Sequence, residues 1–241
     1  MSNHTPHVDS TRRSLVTIAV LIPSTAWLGG CDRREPSAAA APAAPVPRFF
    51  NSDEAAFIVA AARRLLPADD LGPGAAEAGV PTFIDLQLAG AFGRAERWYM
   101  AGPWPHGSDE QGYQLRLTPA QLYRTAIADI DAHCGKVFRK PFVGLTETEQ
   151  DAVLHGLEDG SVKLEHVPAQ TFFTMLWQNT QEGFLADPIY GGNRGFAGWK
   201  LIGFPGPRYN YLEEITQYGQ PYKHPFVSLA GRNPGERLKG T

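Results

Sequence analysis

The chain has 241 residues, with 22 Lys and Arg against 25 Asp and Glu, a formal charge of −3, and only two cysteines. No basic stripe accompanies that balance, which argues against a nucleic-acid partner. Two cysteines exclude four-cysteine iron–sulfur ligation, and without a C-x-x-C-H sequence there is no site for covalent c-type haem attachment.

At the N-terminus, Arg12 and Arg13 directly precede the apolar run from Leu15 to Leu28. This layout looks like a twin-arginine export signal over residues 1–30, so the expected location is the periplasm, associated with the inner membrane on its periplasmic side. The run has 14 residues and contains Pro23, short of the ~20 that a spanning helix needs, which disfavours a permanent transmembrane segment. Leu28-Gly29-Gly30-Cys31 resembles a lipobox, in which Cys31 is lipidated and becomes the mature N-terminus. The competing reading is cleavage among the small residues 37–44. A lipid there would contribute ~0.8 kcal/mol per buried CH2 to membrane attachment. Residues 31–48 read as an Ala/Pro-rich tether, with three prolines between Ser37 and Pro47. Without residues 1–31 the chain keeps 20 basic and 24 acidic residues, a charge of −4.

From Arg48 onward the pattern is helical and long enough for one domain with a sizeable core. Asn51 with Glu54 has the capping-box spacing and opens a helix over residues 52–66. A second helix is expected over 82–100. Thr118 with Gln121, and Pro119 at the first helical position, start a third. In it Leu122, Ala126, Ile127, Ile130, Cys134, Val137 and Phe138 recur at helical spacing as a core-facing stripe. Thr146 with Glu149 starts a fourth to residue 158, and a fifth spans 169–184. No sustained alternating run of β-branched residues appears, so the expected fold is mainly α: a single irregular helical domain, 49–208, with long Gly/Pro-rich loops. Residues 101–117, containing Trp104, His106 and Tyr113, form a long connection of the kind that is often functional. An extended C-terminal tail, 209–241, follows, with one short helical candidate over 211–217.

The stretch 183–206 holds seven glycines and five aromatic residues in 24 positions. Glycines let backbone approach closely, and aromatics supply contact area at low entropy cost, so the pair suggests a shaped surface. Gly191-Gly192-Asn193-Arg194-Gly195 lacks the strand and the G-x-G-x-x-G pattern of a dinucleotide cradle. His106, His133, His155, His166 and His224 show no compact metal spacing, and no G-x-S-x-G is present. Asp187 before Pro188 is ordinary turn chemistry. Cys134 reads either as a buried hydrophobe or as a disulfide partner to another subunit.

Gly183, Phe184, Asp187, Pro188, Tyr190, Gly191, Gly192, Asn193, Gly198, Trp199, Lys200, Gly203, Pro205 and Gly206 resemble the C-terminal signature of the gluconate 2-dehydrogenase subunit 3 family. Leu66-Pro67, Gly72-Pro73-Gly74-Ala75, Pro81-Thr82-Phe83-Ile84-Asp85 and Gly102-Pro103 extend the resemblance upstream. The resemblance implies a small subunit without catalytic residues, metal or cofactor of its own, needed for export, maturation and stability of a large FAD-dependent GMC-type dehydrogenase subunit. It also implies a multihaem cytochrome c subunit passing electrons to quinone, so FAD and haem c belong to the partners. In that frame Asp187, Pro188, Tyr190, Gly191, Gly192, Asn193, Trp199 and Lys200 are the expected partner interface. The alternative is a stand-alone periplasmic helical enzyme or ligand-binding lipoprotein with a pocket lined by Trp177, Tyr190 and Trp199.

Overall fold

Three helix starts are set by side chains that reach back to unpaired backbone donors. The Asn51 side chain accepts from the Asp53 and Glu54 amides, while Glu54 accepts from the Asn51 amide at 2.9 Å. Thr118 with Gln121 and Thr146 with Glu149 close the same reciprocal pairs. Each such cap contributes about 1 kcal/mol, and together they open α1 (Ser52–Leu65), α3 (Pro119–Phe138) and α4 (Glu147–Glu158) where the sequence places them. The computed structural model describes residues 46–105 and 107–232. The expected export signal with Arg12 and Arg13, Cys31, most of the tether and His106 lie outside these residues.

The second helix is shorter than its periodicity suggests. α2 (Val80–Ala89) carries Pro81 in its first turn and stops at Gly90 rather than continuing to residue 100. The chain then folds back over the helix end. The Gly93 amide donates to Gln87 O at 3.1 Å, and a Cβ on Gly93 would lie 1.9 Å from Leu88 O, so only glycine fits. The apolar residues beyond this turn still face inward, with Phe92 and Trp98 packed edge to face at 5.7 Å. Phe92 and Trp98 stay half-buried against the core while Tyr99 faces solvent, so the packing is kept in part and the helix is not.

α5 (Ala169–Leu185) is the central element, packing against α1, α2, α3, α4 and the short α6 (Ala197–Ile202). Its Phe172 and Leu176 are fully buried with Phe57, Phe142 and Tyr123. The rings interlock, Phe57 on Phe142 at 4.7 Å and Tyr123 edge-on to Phe172 at 5.3 Å. The Tyr123 hydroxyl accepts from Asn179 Nδ2 at 2.9 Å, so the polar atom in this core is satisfied. On α3, Leu122, Ala126, Ile127, Ile130 and Cys134 are buried as expected and Phe138 packs half-buried against the core, but Val137 faces solvent. Arg64 on α1 grips Asp151 of α4 through two bonds, at 2.8 and 2.7 Å, and Glu147 at 2.7 Å. The fold is mainly helical and a single domain. The strands among the described residues form one short hairpin, β1 (Val227–Ser228) antiparallel to β2 (Gly231–Arg232), and an isolated bridge joins Asp69 and Gly72.

Two buried carboxylates tie the ends of this domain to its helices. Asp85 on α2 accepts the Arg48 amide at 2.7 Å and the Phe49 and Phe50 amides at 3.0 Å each. Arg124 closes over the same segment, donating to Phe49 O at 2.8 Å with its guanidinium 4.4 Å from the Phe49 ring. Asp187 performs the second attachment, described next.

Candidate functional site

An α-helix leaves its last carbonyls without intrahelical partners, and the glycine-rich stretch supplies those partners for α5. Asn193 donates from Nδ2 to Ala186 O at 2.8 Å, and its Oδ1 accepts the Gly198 amide at 2.9 Å. Trp199 Nε1 donates to Leu185 O at 2.7 Å. Asn193 has no solvent exposure and sits in the left-handed region at φ 45°, a conformation Asn tolerates better than most residues. A Cβ on Gly192 would lie 2.1 Å from Gly183 O, and one on Gly198 would lie 2.1 Å from Phe184 O. The stretch is therefore folded directly onto the end of α5, backbone against backbone.

Asp187 extends this arrangement to the returning tail. One carboxylate oxygen accepts the Ile189 amide at 3.0 Å, capping the short turn Pro188–Tyr190. The other accepts the Leu229 amide at 2.7 Å, 42 residues further on. The aromatic residues finish the seam: Phe196 stacks on Trp199 at 5.4 Å and on Phe226 at 5.8 Å, and Phe204 stands edge-on to Trp199 at 5.0 Å.

The residues expected at an interface thus fall into two sets. Asp187, Gly192, Asn193 and Trp199 point inward and hold the stretch together, Pro188 and Gly191 are half-buried, and Tyr190 and Lys200 face outward. The outward set is joined by Leu185, Ile189, Leu201, Ile202 and Phe204, all exposed. Of 18 exposed large apolar side chains among the described residues, 13 lie between Leu185 and Leu229. Scattered exposed apolar residues are normal, so it is their concentration in one stretch of the chain that sets this region apart.

Trp177, Tyr190 and Trp199 do not line a common cavity. Trp177 borders a 210 Å³ cleft with Arg64, Asp151 and Phe173, Tyr190 borders an open 580 Å³ groove with Phe83, Gln87 and Leu185, and Trp199 is buried in the seam. A 660 Å³ cavity between α1 and the start of α2 includes Phe50, Ile58, Asp85 and Arg194 in its walls. The Asp85 oxygens there are engaged by the three backbone amides, and Arg194 donates to the Thr82 hydroxyl at 2.9 Å. Cys134 is fully buried and unbonded, and burial pushes its thiol up to about 11. A disulfide to another chain would require this face of α3 to leave the core. His166 Nδ1 pairs with buried Asp129 at 2.7 Å, and the carboxylate raises the imidazole above its ordinary value. Among the described residues no three His, Cys, Asp or Glu side chains converge as metal ligands would, and no helix is long and apolar enough to cross a membrane.

Sequence reasoning missed the roles of Asn193 and Trp199 as partners for the α5 carbonyls and of Asp85 as a clamp. Their signal was present in the resemblance motifs, which contain all three residues, but their direction of facing was not.

The fold and site together define a helical protein whose glycine-pinned C-terminal stretch presents apolar side chains to its surroundings. The chain belongs to the gluconate 2-dehydrogenase subunit 3 family, whose model matches residues 52–206. Membership makes it a relative of one subunit of a multisubunit dehydrogenase, an accessory protein in that complex. No curated protein and no solved structure matches the chain.

Proposed function

We propose that the chain is the non-catalytic small subunit of a periplasmic, membrane-bound, FAD-dependent sugar or polyol dehydrogenase of the gluconate 2-dehydrogenase type. The observation that carries this reading is the outward apolar set Leu185, Ile189, Tyr190, Leu201, Ile202 and Phe204, which lies within the family-matched residues. Left in water, such a set costs roughly 25 cal/mol for each Å² of apolar area that a partner would cover. The partner is the large flavoprotein subunit, which holds FAD. A multihaem cytochrome c subunit carries electrons onward to quinone, and this chain holds no cofactor.

Export follows from Arg12 and Arg13 in the signal over residues 1–30, with the folded flavoprotein travelling alongside. Cys31 supplies the lipid attachment that keeps the assembly on the periplasmic face of the inner membrane. The test is expression of the chain with its large subunit, comparing wild type with the Arg12→Lys, Arg13→Lys double variant. Loss of both chains from the periplasm is expected. Substrate oxidation by the purified chain without a flavoprotein would overturn the reading, as would normal periplasmic activity of the large subunit in the double variant.

A further inference from the structure

Residues 207–226 leave the domain and return to it as a closed loop. At the base the Val227 amide donates to Pro205 O at 3.2 Å, and Phe226 stacks on Phe196. A Cβ on Gly206 would lie 1.9 Å from Val227 O, so the outgoing and returning chains touch. Across the loop Arg208 Nε donates to the Tyr222 hydroxyl at 2.7 Å, and its guanidinium also reaches Pro225 O. Tyr222 packs against His224 at 4.7 Å, and His224 Nε2 meets Glu214 at 3.1 Å. Successive turns, Glu214 to Tyr211 and Gln217 to Glu214, fill the excursion.

The loop is inside out. Two of its charged groups belong to the internal scaffold: Arg208 is half-buried, and the Glu214 side chain is 23% exposed. Its apolar groups point to solvent, with Leu212 70%, Ile215 66% and Tyr218 85% exposed and Tyr209 fully so. Hydrophobic burial alone would choose the reverse arrangement in an isolated chain. An ordered scaffold holding apolar side chains outward is the arrangement that loses least entropy on docking.

We infer that this loop is a preformed protrusion that inserts Tyr209, Leu212, Ile215 and Tyr218 into a concave apolar pocket of the large dehydrogenase subunit; this rests on the subunit reading above. Composition selects a protein over a lipid surface. Tyrosine supplies rigid amphipathic contact typical of protein recognition, whereas membrane-lying elements carry Lys and Arg beside their apolar face. Here the exposed charges of the loop are one acidic and one basic residue, Glu213 and Lys223, and Arg208 is held by Tyr222 and Pro225, so no basic face accompanies the apolar side chains. The base of the loop rests on the same Phe196, Trp199 and Asp187 seam that supports the outward apolar set, so both are anchored on one structural element within the partner reading. The loop lies beyond the matched residues 52–206 and adds to the contact made by the family body.

The test measures affinity of the full chain for the purified large subunit, using wild type, a Tyr209→Ser, Leu212→Ser, Ile215→Ser, Tyr218→Ser variant and a single Ile215→Lys variant. A loss of about tenfold or more is expected in both variants, as for residues central to an interface, with the Tm of the free chain unchanged. Ile215→Lys replaces one exposed side chain and keeps the test valid if the fourfold variant does not fold. Wild-type binding with equal affinity in the variants overturns the protrusion and leaves the subunit reading standing. No wild-type binding overturns both. Sedimentation of the chain with anionic phospholipid vesicles that the variants abolish would overturn the protein pocket in favour of a lipid surface.

Discussion

Replacing Asn193 by alanine removes both bonds that this side chain makes, and the cost can be worked from its surroundings. The Gly198 amide is buried and would lose its acceptor, about 2 kcal/mol. Ala186 O is partly accessible and would recover some hydration, leaving about 1 kcal/mol. Alanine at φ 45° adds about 1 kcal/mol of backbone strain that Asn, with its short polar side chain, offsets. The sum is about 4 kcal/mol, roughly 10 °C in Tm for a domain of this size. Asn193→Gly loses the same bonds without the strain, so it should be less destabilised than alanine by about 1 kcal/mol. Urea unfolding of the free chain gives both values, and amide hydrogen exchange at Gly198 reports the lost bond directly. A loss below ~1 kcal/mol for alanine, or unchanged protection at Gly198, would refute the assignment of Asn193 as the cap of α5.

Asp85→Ala should free the Arg48, Phe49 and Phe50 amides, seen as faster exchange at Phe49 and Phe50 with a stability loss of about 3 kcal/mol; unaltered exchange would count against the clamp. Asp187→Ala should release Leu229 and speed proteolytic cleavage within 207–232 far more than within the helices, and a uniform change across the chain would contradict it. His166 is held above its ordinary value by Asp129, so the folded chain binds that proton more tightly. Its contribution is therefore complete below the unfolded value of 6.5 and is lost as pH rises through the raised one. A Tm profile across neutral pH should flatten in His166→Gln, and an identical slope would exclude the pair as its source.

Local chemistry was legible in the sequence, and chemistry that joins distant positions was not. The caps at Asn51, Thr118 and Thr146 rest on partners three residues away, so spacing alone located them. The end of α2 depends on Gly90 and Gly93 letting the chain turn back onto Leu88, an event that helical periodicity does not encode because Phe92 and Trp98 beyond it still pack, half-buried, against the core. Residues 211–217 carry helical spacing yet form turns, with Tyr211 packed on Tyr222 and Glu214 paired with His224 from across the loop. The glycine-rich stretch was visible as a shaped element. Which of its side chains face inward was set by the α5 carbonyls 7 and 14 residues upstream of Asn193 and Trp199, a relation that composition does not carry.

The three-amide grip of Asp85 bears on how the domain would respond to a pull from its N-terminal side. Chain ends are ordinarily where unravelling starts, and α1 would be the first helix to peel. Tension arriving through Val46 and Pro47 instead meets Arg48, Phe49 and Phe50, whose amides all bear on one carboxylate seated in α2. The load passes sideways into the second helix before it reaches the first, so a pull on this segment is resisted by α2 before α1 begins to unwind.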